Sequence, residues 1–473
     1  LKKQCFWYDE KVMRDFQNKQ VAVLGLGTEN RPLVDFLLQR GARVTVCDQD
    51  VGLKLKWSQL PVHWRLGEDY LRNLTDFDLV FRTPGLSPNQ KEIARAKTEG
   101  VEVSSVTNLF FELAPAKIIA VTGTKGKGTT SSLIYAILKE NPQNRVYLLG
   151  NIGASAISVL EKLKKDDWVV LELSSFQLID LKKSPQIAVI LRIFPDHLDY
   201  HQSEQEYQKA KEPIVLFQSE DDFAVINEDC PVARRFAQLT KAQVYWFSVQ
   251  KPVERGTFVR WQDKERGEIV FRAEGKEEPV LRTDEVKLLG QHNLENISAA
   301  ITAAFLAQAR VSEVRRVAQK FKGLEHRLEK VAEIAGVTYI NDSYSTTPQT
   351  TIAALKSFSA PIILICGGRS KGGDYEALAK AIFESPVKAV LLIGEMAFKL
   401  KRLIQEVQKQ KAKPIEILNL ERLKLKTVVQ KAVQKAQSGE VVLFSPGCAS
   451  FDMFKNATQR GLEFKKAVLT LLK

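Results

Sequence analysis

Residues 117–130 read Lys117-Ile-Ile-Ala-Val-Thr122-Gly-Thr-Lys-Gly-Lys-Gly-Thr-Thr130, and residues 131–139 continue Ser-Ser-Leu-Ile-Tyr-Ala-Ile-Leu-Lys. The short apolar run reads as a buried strand and the tail as a helix. Between them, glycines let successive backbone N–H groups turn toward one anion, and lysine adds a point charge. A strand, a glycine-rich loop and a helix in immediate succession is the context a phosphate cradle needs. Gly123, Thr124, Lys125, Gly126, Lys127, Gly128, Thr129 and Thr130 are the candidate cradle. Lys127 is expected on the β/γ-phosphates. The spacing is shorter than GxxxxGK[ST], and Gly128 takes the usual hydroxyl position, so Thr129 is expected to supply the Mg²⁺-binding hydroxyl. A glycine-rich loop without a ligand is the plainer alternative.

Outward from this loop, strand-like runs alternate with helical stretches, the pattern of parallel α/β sheets. They are Val21-Ala-Val-Leu-Gly25, Val44-Thr-Val-Cys-Asp48 and Asp78-Leu-Val-Phe81, then Trp168-Val-Val-Leu-Glu-Leu173 and Ile187-Ala-Val-Ile-Leu-Arg192. A third group is Pro361-Ile-Ile-Leu-Ile-Cys366, Ala389-Val-Leu-Leu-Ile-Gly394 and Glu440-Val-Val-Leu-Phe-Ser445. Pro115 and the segment 323–327 mark boundaries. The expectation is three Rossmann-like or P-loop-type parallel-sheet domains, 1–115, 116–326 and 327–473. Thr257-Phe-Val-Arg260, Glu268-Ile-Val-Phe271 and Pro279-Val-Leu-Arg282 alternate between charged turns and predict a small antiparallel insert in the middle domain.

At 473 residues the chain is long enough for about three cores. The five cysteines are scattered and odd in number, which predicts reduced thiols in the cytoplasm and no zinc site. No apolar run is long enough to span a membrane, and the first ten residues mix charges with aromatics, so neither span nor leader is expected. The net charge of +13 is spread along the chain without a nucleic-acid-binding motif. It suits small polyanions such as nucleotides rather than nucleic acid, and a monomer is expected.

Gly25-Leu-Gly27-Thr-Glu-Asn30 follows one strand, and Asp48 ends the next. That arrangement places phosphate over a helix N-terminus and an acid near a ribose. Asn30 stands where GxGxxG has its third glycine, so a tight structural turn explains the motif equally well. Thr83-Pro-Gly85 reads as either a turn or a site. Further clusters are Gly150-Asn-Ile-Gly153, Leu171-Glu-Leu-Ser-Ser-Phe-Gln-Leu178, Pro195-Asp-His-Leu-Asp199 and Tyr207-Gln-Lys-Ala-Lys211. Phosphoryl transfer needs hard oxygen ligands for Mg²⁺, and Glu172 at a strand end suits that role. Singly, Glu172 reads as a surface charge and His197 as a satisfied loop histidine.

In order and spacing, TGTKGKGTT, GNIG, LELSSFQL, PDHLDY, YQKAK, GQHNLENISAA, GLEHRLE, NDS and SPGCASFDMFKN resemble the Mur ligase family over nearly the whole chain. LELSSFQL and SPGCASFDMFKN resemble its glutamate-adding branch. The resemblance implies an ATP-dependent ligase that joins glutamate to UDP-N-acetylmuramoyl-L-alanine through an acyl phosphate, with ATP and two Mg²⁺ ions. It implies that Lys127, His197 and Lys211 serve catalysis, with Lys211 carbamylated. Thr129, Glu172, His197 and the Lys211 carbamate would hold metal. Asn293 and Asn296 would touch the adenine side, and Arg327 and Asp342 would reach ATP. Thr28, Glu29, Asp48 and Gln49 would meet the uridine diphosphate, and Asn151 the muramoyl group or the metal. Thr346 and Lys371 would take the α-carboxylate of glutamate, with Ser450 and the backbone near Phe451 taking the γ-carboxylate.

The chain departs from the family pattern in three places. Tyr344 replaces the lysine of NDSKATN, Ala457 replaces an aromatic residue, and Arg369 stands where an acid is usual. NDSYSTTP is also similar to a branch that adds L-glutamate, so D-glutamate is the first expectation and L-glutamate the second. A folylpolyglutamate-synthase-like ligase, which shares the phosphate loop, would lack the separate first domain and SPGCASFD. A non-catalytic nucleotide-binding subunit would not need Lys127, Glu172, His197 and Lys211 together. A P-loop kinase would have no use for a carbamate at Lys211.

Overall fold

The computed structural model describes residues 14–27, 29–151, 155–263, 266–288, 292–321, 323–370, 373–411 and 414–472, with the backbone alone at 199, 292 and 410. The chain forms two compact units, one of residues up to 286 with 291–320, the other of residues 287–290 with 321–473.

The first unit holds two sheets. One has five parallel strands in the spatial order His63–Leu66, Arg43–Asp48, Gln20–Leu24, Leu79–Arg82 and Glu102–Ser104. A parallel sheet needs cover on both faces, and alternation along Gln20–Leu24 supplies it. Ala22 and Leu24 pack with Ile93 and Ala96 on one face. Val21 and Val23 pack with Leu33, Leu37 and Phe110 on the other, in a core that continues to Ile118, Leu171 and Ile190 of the second sheet. Gly25 leaves the central strand with φ +80, where a Cβ would stand 2.8 Å from Thr83 Cγ2. The turn then opens helix Asn30–Gln39.

The second sheet has nine strands, in the order Lys276–Arg282, Gly267–Ala273, Gly256–Trp261, Gln243–Ser248, Phe223–Asn227, Ile187–Ile190, Lys117–Thr122, Trp168–Glu172 and Val146–Gly150. The phosphate-loop strand Lys117–Thr122 is interior, paired in parallel with Ile187–Ile190 and Trp168–Glu172. The three alternating segments are antiparallel to one another, as their pattern predicts. They extend the main sheet, because Gly256–Trp261 pairs in parallel with Gln243–Ser248. The second unit carries six strands in the order Glu329–Ile334, Val337–Asn341, Val441–Phe444, Ile362–Gly367, Val387–Ile393 and Glu416–Asn419, parallel except for the first pair. Leu364 and Cys366 face one core and Ile363 and Ile365 the other. Among the described residues no helix is long and apolar enough to cross a membrane.

The apolar runs in the sequence fall on inner strands, but two buried inner strands, Phe223–Asn227 and Val337–Asn341, lie outside those runs. Other unmarked strands, such as His63–Leu66, Glu102–Ser104, Val146–Gly150 and Glu416–Asn419, are short, and most are only partly buried.

Gly256 is where the sheet turns from parallel to antiparallel pairing. Its φ is +118, and a Cβ there would stand 1.8 Å from the Trp246 carbonyl oxygen. Gly256→Ala should destabilise the first unit by about 1–3 kcal/mol, the usual scale of forced overpacking. A urea midpoint equal to wild type would show that this junction tolerates a side chain.

Candidate active site

The phosphate loop is shaped by its neighbours. Gly126 has φ +87 and precedes helix Lys127–Lys139. A Cβ on Gly126 would lie 2.2 Å from Asn296 Oδ1, so glycine is required for space as well as for conformation. Asn296 Oδ1 also lies 3.4 Å from Thr130 Oγ1, and its amide donates to Asn293 Oδ1 at 2.8 Å. The Thr124 hydroxyl donates to Phe194 O at 2.9 Å and meets Tyr207 Oη at 3.0 Å. Lys127 Nζ donates to Gly123 O and Thr124 O at 3.0 and 3.1 Å. Gly128, Thr129 and Thr130 are buried in the first helical turn, while Lys125 is exposed and 3.8 Å from Asp196.

Lys211 lies against the loop and is 1% exposed. Its Nζ is 3.5 Å from Thr122 Oγ1, 3.4 Å from Gly123 O and 4.6 Å from the centre of the Tyr207 ring. No carboxylate among the described residues pairs with it. Burial pushes its pKa well below that of an ordinary lysine, Lys127 adds repulsion, and Asp196 opposes both. Such surroundings favour the neutral, nucleophilic amine over the ammonium. The preceding helix Glu204–Lys209 is capped by Ser203, whose hydroxyl accepts from Glu206 N, and it places Tyr207 beside the loop. Burial holds the Tyr207 phenol protonated, with its pKa pushed up to about 12.

A cleft of about 380 Å³ opens beside Lys127, lined by Gly27, Glu29, Thr83, Pro84, Gly85, Lys127, Asn151, Ser174, Phe176 and His197. It therefore gathers four expected residues, Glu29, Lys127, Asn151 and His197. Glu29 Oε1 accepts from Gln177 Nε2 at 2.9 Å and from the Thr107 hydroxyl at 3.5 Å. Burial raises its pKa, against which Gln177, Thr107 and Arg82 act. His197 has φ +53 and sits edge-on to Phe176, with ring centres 4.9 Å apart. Asn151 is exposed, and its N–H donates to Glu172 O at 3.0 Å. Glu172 is buried at the end of the strand that pairs with the loop strand. Among the described residues no three His, Cys, Asp or Glu side chains gather as a metal site. The expected metal set includes only Glu172 and His197 of those types, and an acidic group on Lys211 would add a further oxygen donor.

The Asp48 carboxylate accepts from Leu26 N at 2.8 Å through one oxygen, which shapes the glycine turn, and from Asp50 N at 2.9 Å through the other, which shapes the bend after its own strand. Gln49 is exposed beside it. Thr28 and Lys371 lie outside the described residues.

The second unit has its own polar centre. Asp342 Oδ2 accepts from the Ser345 and Ser445 hydroxyls at 2.5 and 2.7 Å, and Oδ1 accepts from Leu328 N at 3.2 Å. Burial raises its pKa to about 6 despite these bonds. Arg460 is buried and ties two loops, donating to Ser343 O at 2.6 Å and to Cys448 O at 2.9 Å. Its pKa is pushed down to about 10 by desolvation. His326 is 2.8 Å from the Asn341 amide and stacks edge-on with Tyr344. Ser450 is buried, Thr346 half-buried, and Arg327 and Phe451 exposed.

The sequence reading passed over Arg82, Phe176, Tyr200 and Arg460 as individual residues. Arg82 and Arg460 are among the largest fully buried side chains. The signal for Arg82 was a charge at the end of the apolar run Leu79-Val-Phe. Arg460 lies within helix Ala457–Leu469, where nothing in the local pattern distinguishes it from a surface arginine.

Comparison with known proteins matches residues 19–105 to the Mur ligase MurD-like N-terminal domain, 121–304 to the Mur ligase middle domain and 326–448 to the Mur ligase glutamate ligase domain. A UDP-N-acetylmuramoylalanine–D-glutamate ligase from Acetivibrio thermocellus is 42% identical over 460 residues, 96% of this chain and 97% of that protein. One from Clostridium tetani is 40% identical over 461 residues, 96% and 97% respectively. Among solved structures, the MurF ligase of Thermotoga maritima in complex with ADP aligns with a TM-score of 0.57 at 18% identity, covering 96% of each chain. A pseudomurein peptide ligase type C from Methanothermus fervidus aligns at 0.56 and 17%, covering 96% of this chain and all of that one. These structures share the fold.

The raised pKa of Asp342 has a defined stability signature. Its folded value exceeds the unfolded one, so the folded state binds the proton more tightly. Stability from this group is full below about pH 4 and falls as pH rises toward about 6. In urea melts, wild type should lose on the order of 3 kcal/mol across that window relative to Asp342→Asn. Parallel pH profiles for the two proteins would mean that Asp342 titrates as an ordinary carboxylate.

Proposed function

The chain belongs to the Mur ligase family, and on that footing we propose that it joins D-glutamate to UDP-N-acetylmuramoyl-L-alanine with conversion of ATP to ADP and phosphate. The observation that carries this reading is one cleft lined by Glu29, Lys127, Asn151 and His197, with the buried amine of Lys211 against the loop that carries Lys127. The name shared by relatives at 40–42% identity over nearly the full length supports the choice of substrates and a place in cytoplasmic cell-wall precursor synthesis.

In the proposed reaction an oxygen of the alanyl carboxylate attacks the γ-phosphorus of ATP, and the bond to the ADP oxygen breaks. The amine of glutamate then attacks the acyl-phosphate carbon. The tetrahedral adduct loses phosphate, and the amine gives up a proton. The loop amides and Lys127 hold the transferring phosphoryl group and oppose repulsion between two anions. Thr129, Glu172, His197 and carbamylated Lys211 would hold Mg²⁺, proposed as two ions. Mg²⁺, when bound, supplies positive charge to the phosphate oxygens. Carbamylation fits the Lys211 amine, whose burial disfavours the charged form and which has no carboxylate partner among the described residues: the neutral nitrogen adds to the carbon of CO₂ and releases one proton.

Asn296, pressed on Gly126 and Thr130, would act on ATP by shaping the loop, with Asn293 as its partner. Asp48 would act on the uridine diphosphate through the glycine turn, alongside Thr28, Glu29 and Gln49. In the second unit, Arg327 and Asp342 are proposed for ATP, and Thr346, Lys371, Ser450 and the backbone at Phe451 for glutamate. L-Glutamate is the second reading, motivated by Asn341-Asp-Ser-Tyr-Ser-Thr-Thr347. Enantiomers carry the same groups, so discrimination rests on small differences in contact.

The test is to incubate the protein with ATP, Mg²⁺, UDP-N-acetylmuramoyl-L-alanine and either enantiomer of glutamate, and to read product mass and chirality. D-Glutamate should be incorporated, and Lys127→Ala should lower the rate by roughly 10²-fold or more. A product containing only L-glutamate would overturn the stereochemistry. Absence of product with both enantiomers would overturn the function.

A further inference from the structure

Arg82 ends the buried strand Leu79–Arg82 and has no exposed side-chain surface. A guanidinium withdrawn from water is tolerated only when its donors meet oxygens. Nη1 lies 3.1, 3.1 and 2.7 Å from the carbonyl oxygens of Thr83, Pro84 and Leu86. Nη2 donates to Phe176 O at 3.0 Å, and Nε lies 2.6 Å from Asp180 Oδ2. Tyr200 Oη is 3.3 Å from Nη1 and donates to Pro84 O at 2.9 Å. Burial raises the Tyr200 pKa and keeps this donor protonated.

The four carbonyls come from two places in the fold. Thr83, Pro84 and Leu86 form the turn beyond the five-stranded sheet, and Phe176 belongs to the segment after strand Trp168–Glu172 of the nine-stranded sheet. Thr83, Pro84 and Phe176 line the cleft from these two sides. The Phe176 ring also meets Tyr200 with centres 4.4 Å apart and lies against His197. One planar fork thus holds both walls. A guanidinium serving one sheet alone would not need carbonyls from the other.

We propose that Arg82, braced by Tyr200, is a positioning residue that fixes the two cleft walls to each other and so sets the affinity for the UDP-linked acid. The substrate assignment rests on the function proposed above; the coupling of the walls does not. Lysine cannot replace the fork, because an ammonium is a point donor without the planar geometry that reaches several carbonyls.

Two variants and two readouts test this. Tyr200→Phe keeps the ring contact and removes the hydroxyl; Arg82→Lys keeps the charge and removes the fork. Tyr200→Phe should raise the KM for UDP-N-acetylmuramoyl-L-alanine about 3- to 10-fold, the value of one hydrogen bond. The KM for ATP should stay within about twofold, because the loop contacts are untouched. Arg82→Lys should move the first constant further in the same direction. In hydrogen exchange, peptides spanning 83–90 and 174–181 should both exchange faster in Tyr200→Phe, while residues 20–24 stay protected. Equal shifts in both KM values, or a lowered melting temperature with unchanged kinetics, would overturn the proposal by reducing Arg82 to a structural ion. Faster exchange in only one of the two peptides, or in neither, would also overturn it. If wild type forms no product, the proposed reaction falls and the exchange comparison alone decides whether the walls are coupled.

Discussion

The amine of Lys211, buried against the phosphate loop, is the constraint around which the first unit is arranged. A lysine in that position is costly as a cation. Its nearest polar neighbours are a hydroxyl and a carbonyl, Thr122 Oγ1 and Gly123 O, with the Tyr207 ring beside it. The surroundings therefore favour the uncharged amine. In the proposed reading this cost has a chemical purpose, because a neutral amine can take up CO₂ and become an anionic oxygen donor beside a phosphate cradle. In that reading Lys127 offers the nucleotide a cation and Lys211, packed against the same loop, offers metal an acid, although both residues begin as lysines.

The loop itself depends on position in the sheet. Lys117–Thr122 is interior, so its C-terminal end delivers the glycines next to Glu172 on one neighbour and Arg192 on the other. Asn296 fills the space that Gly126 leaves, which joins helix His292–Leu306 to the loop it faces. Asp48 does the corresponding work for the glycine turn of the five-stranded sheet, accepting from Leu26 N. Arg82 links that sheet's turn to Phe176, and through Phe176 to His197. Each device sets backbone geometry near a proposed anion site, and none needs to touch the anion.

What the sequence made legible was the part that obeys local rules. The strand–glycine loop–helix succession at 117–139, most of the interior parallel strands and the alternation of residues 256–282 are short-range patterns, and the structure has them. Attachment of that antiparallel segment to the main sheet was not legible, because it turns on the backbone at Gly256 and on pairing with a strand whose pattern is mixed. Glu29, Lys127, Asn151 and His197 could be named from motifs, and they share a cleft. The contacts of Asn296 with Gly126 and Thr130 were not legible, because only tertiary packing reveals them. Arg82 and Arg460 were passed over, because a buried arginine is defined by distant carbonyl groups and has no local signature.

Carbon-13 NMR of the intact protein equilibrated with ¹³C-bicarbonate tests the role of Lys211 most directly. The account predicts one slowly exchanging carbamate carbonyl signal in active wild-type protein and its loss in Lys211→Ala. Active wild-type protein with no carbamate signal, or an undiminished signal in Lys211→Ala, would contradict it.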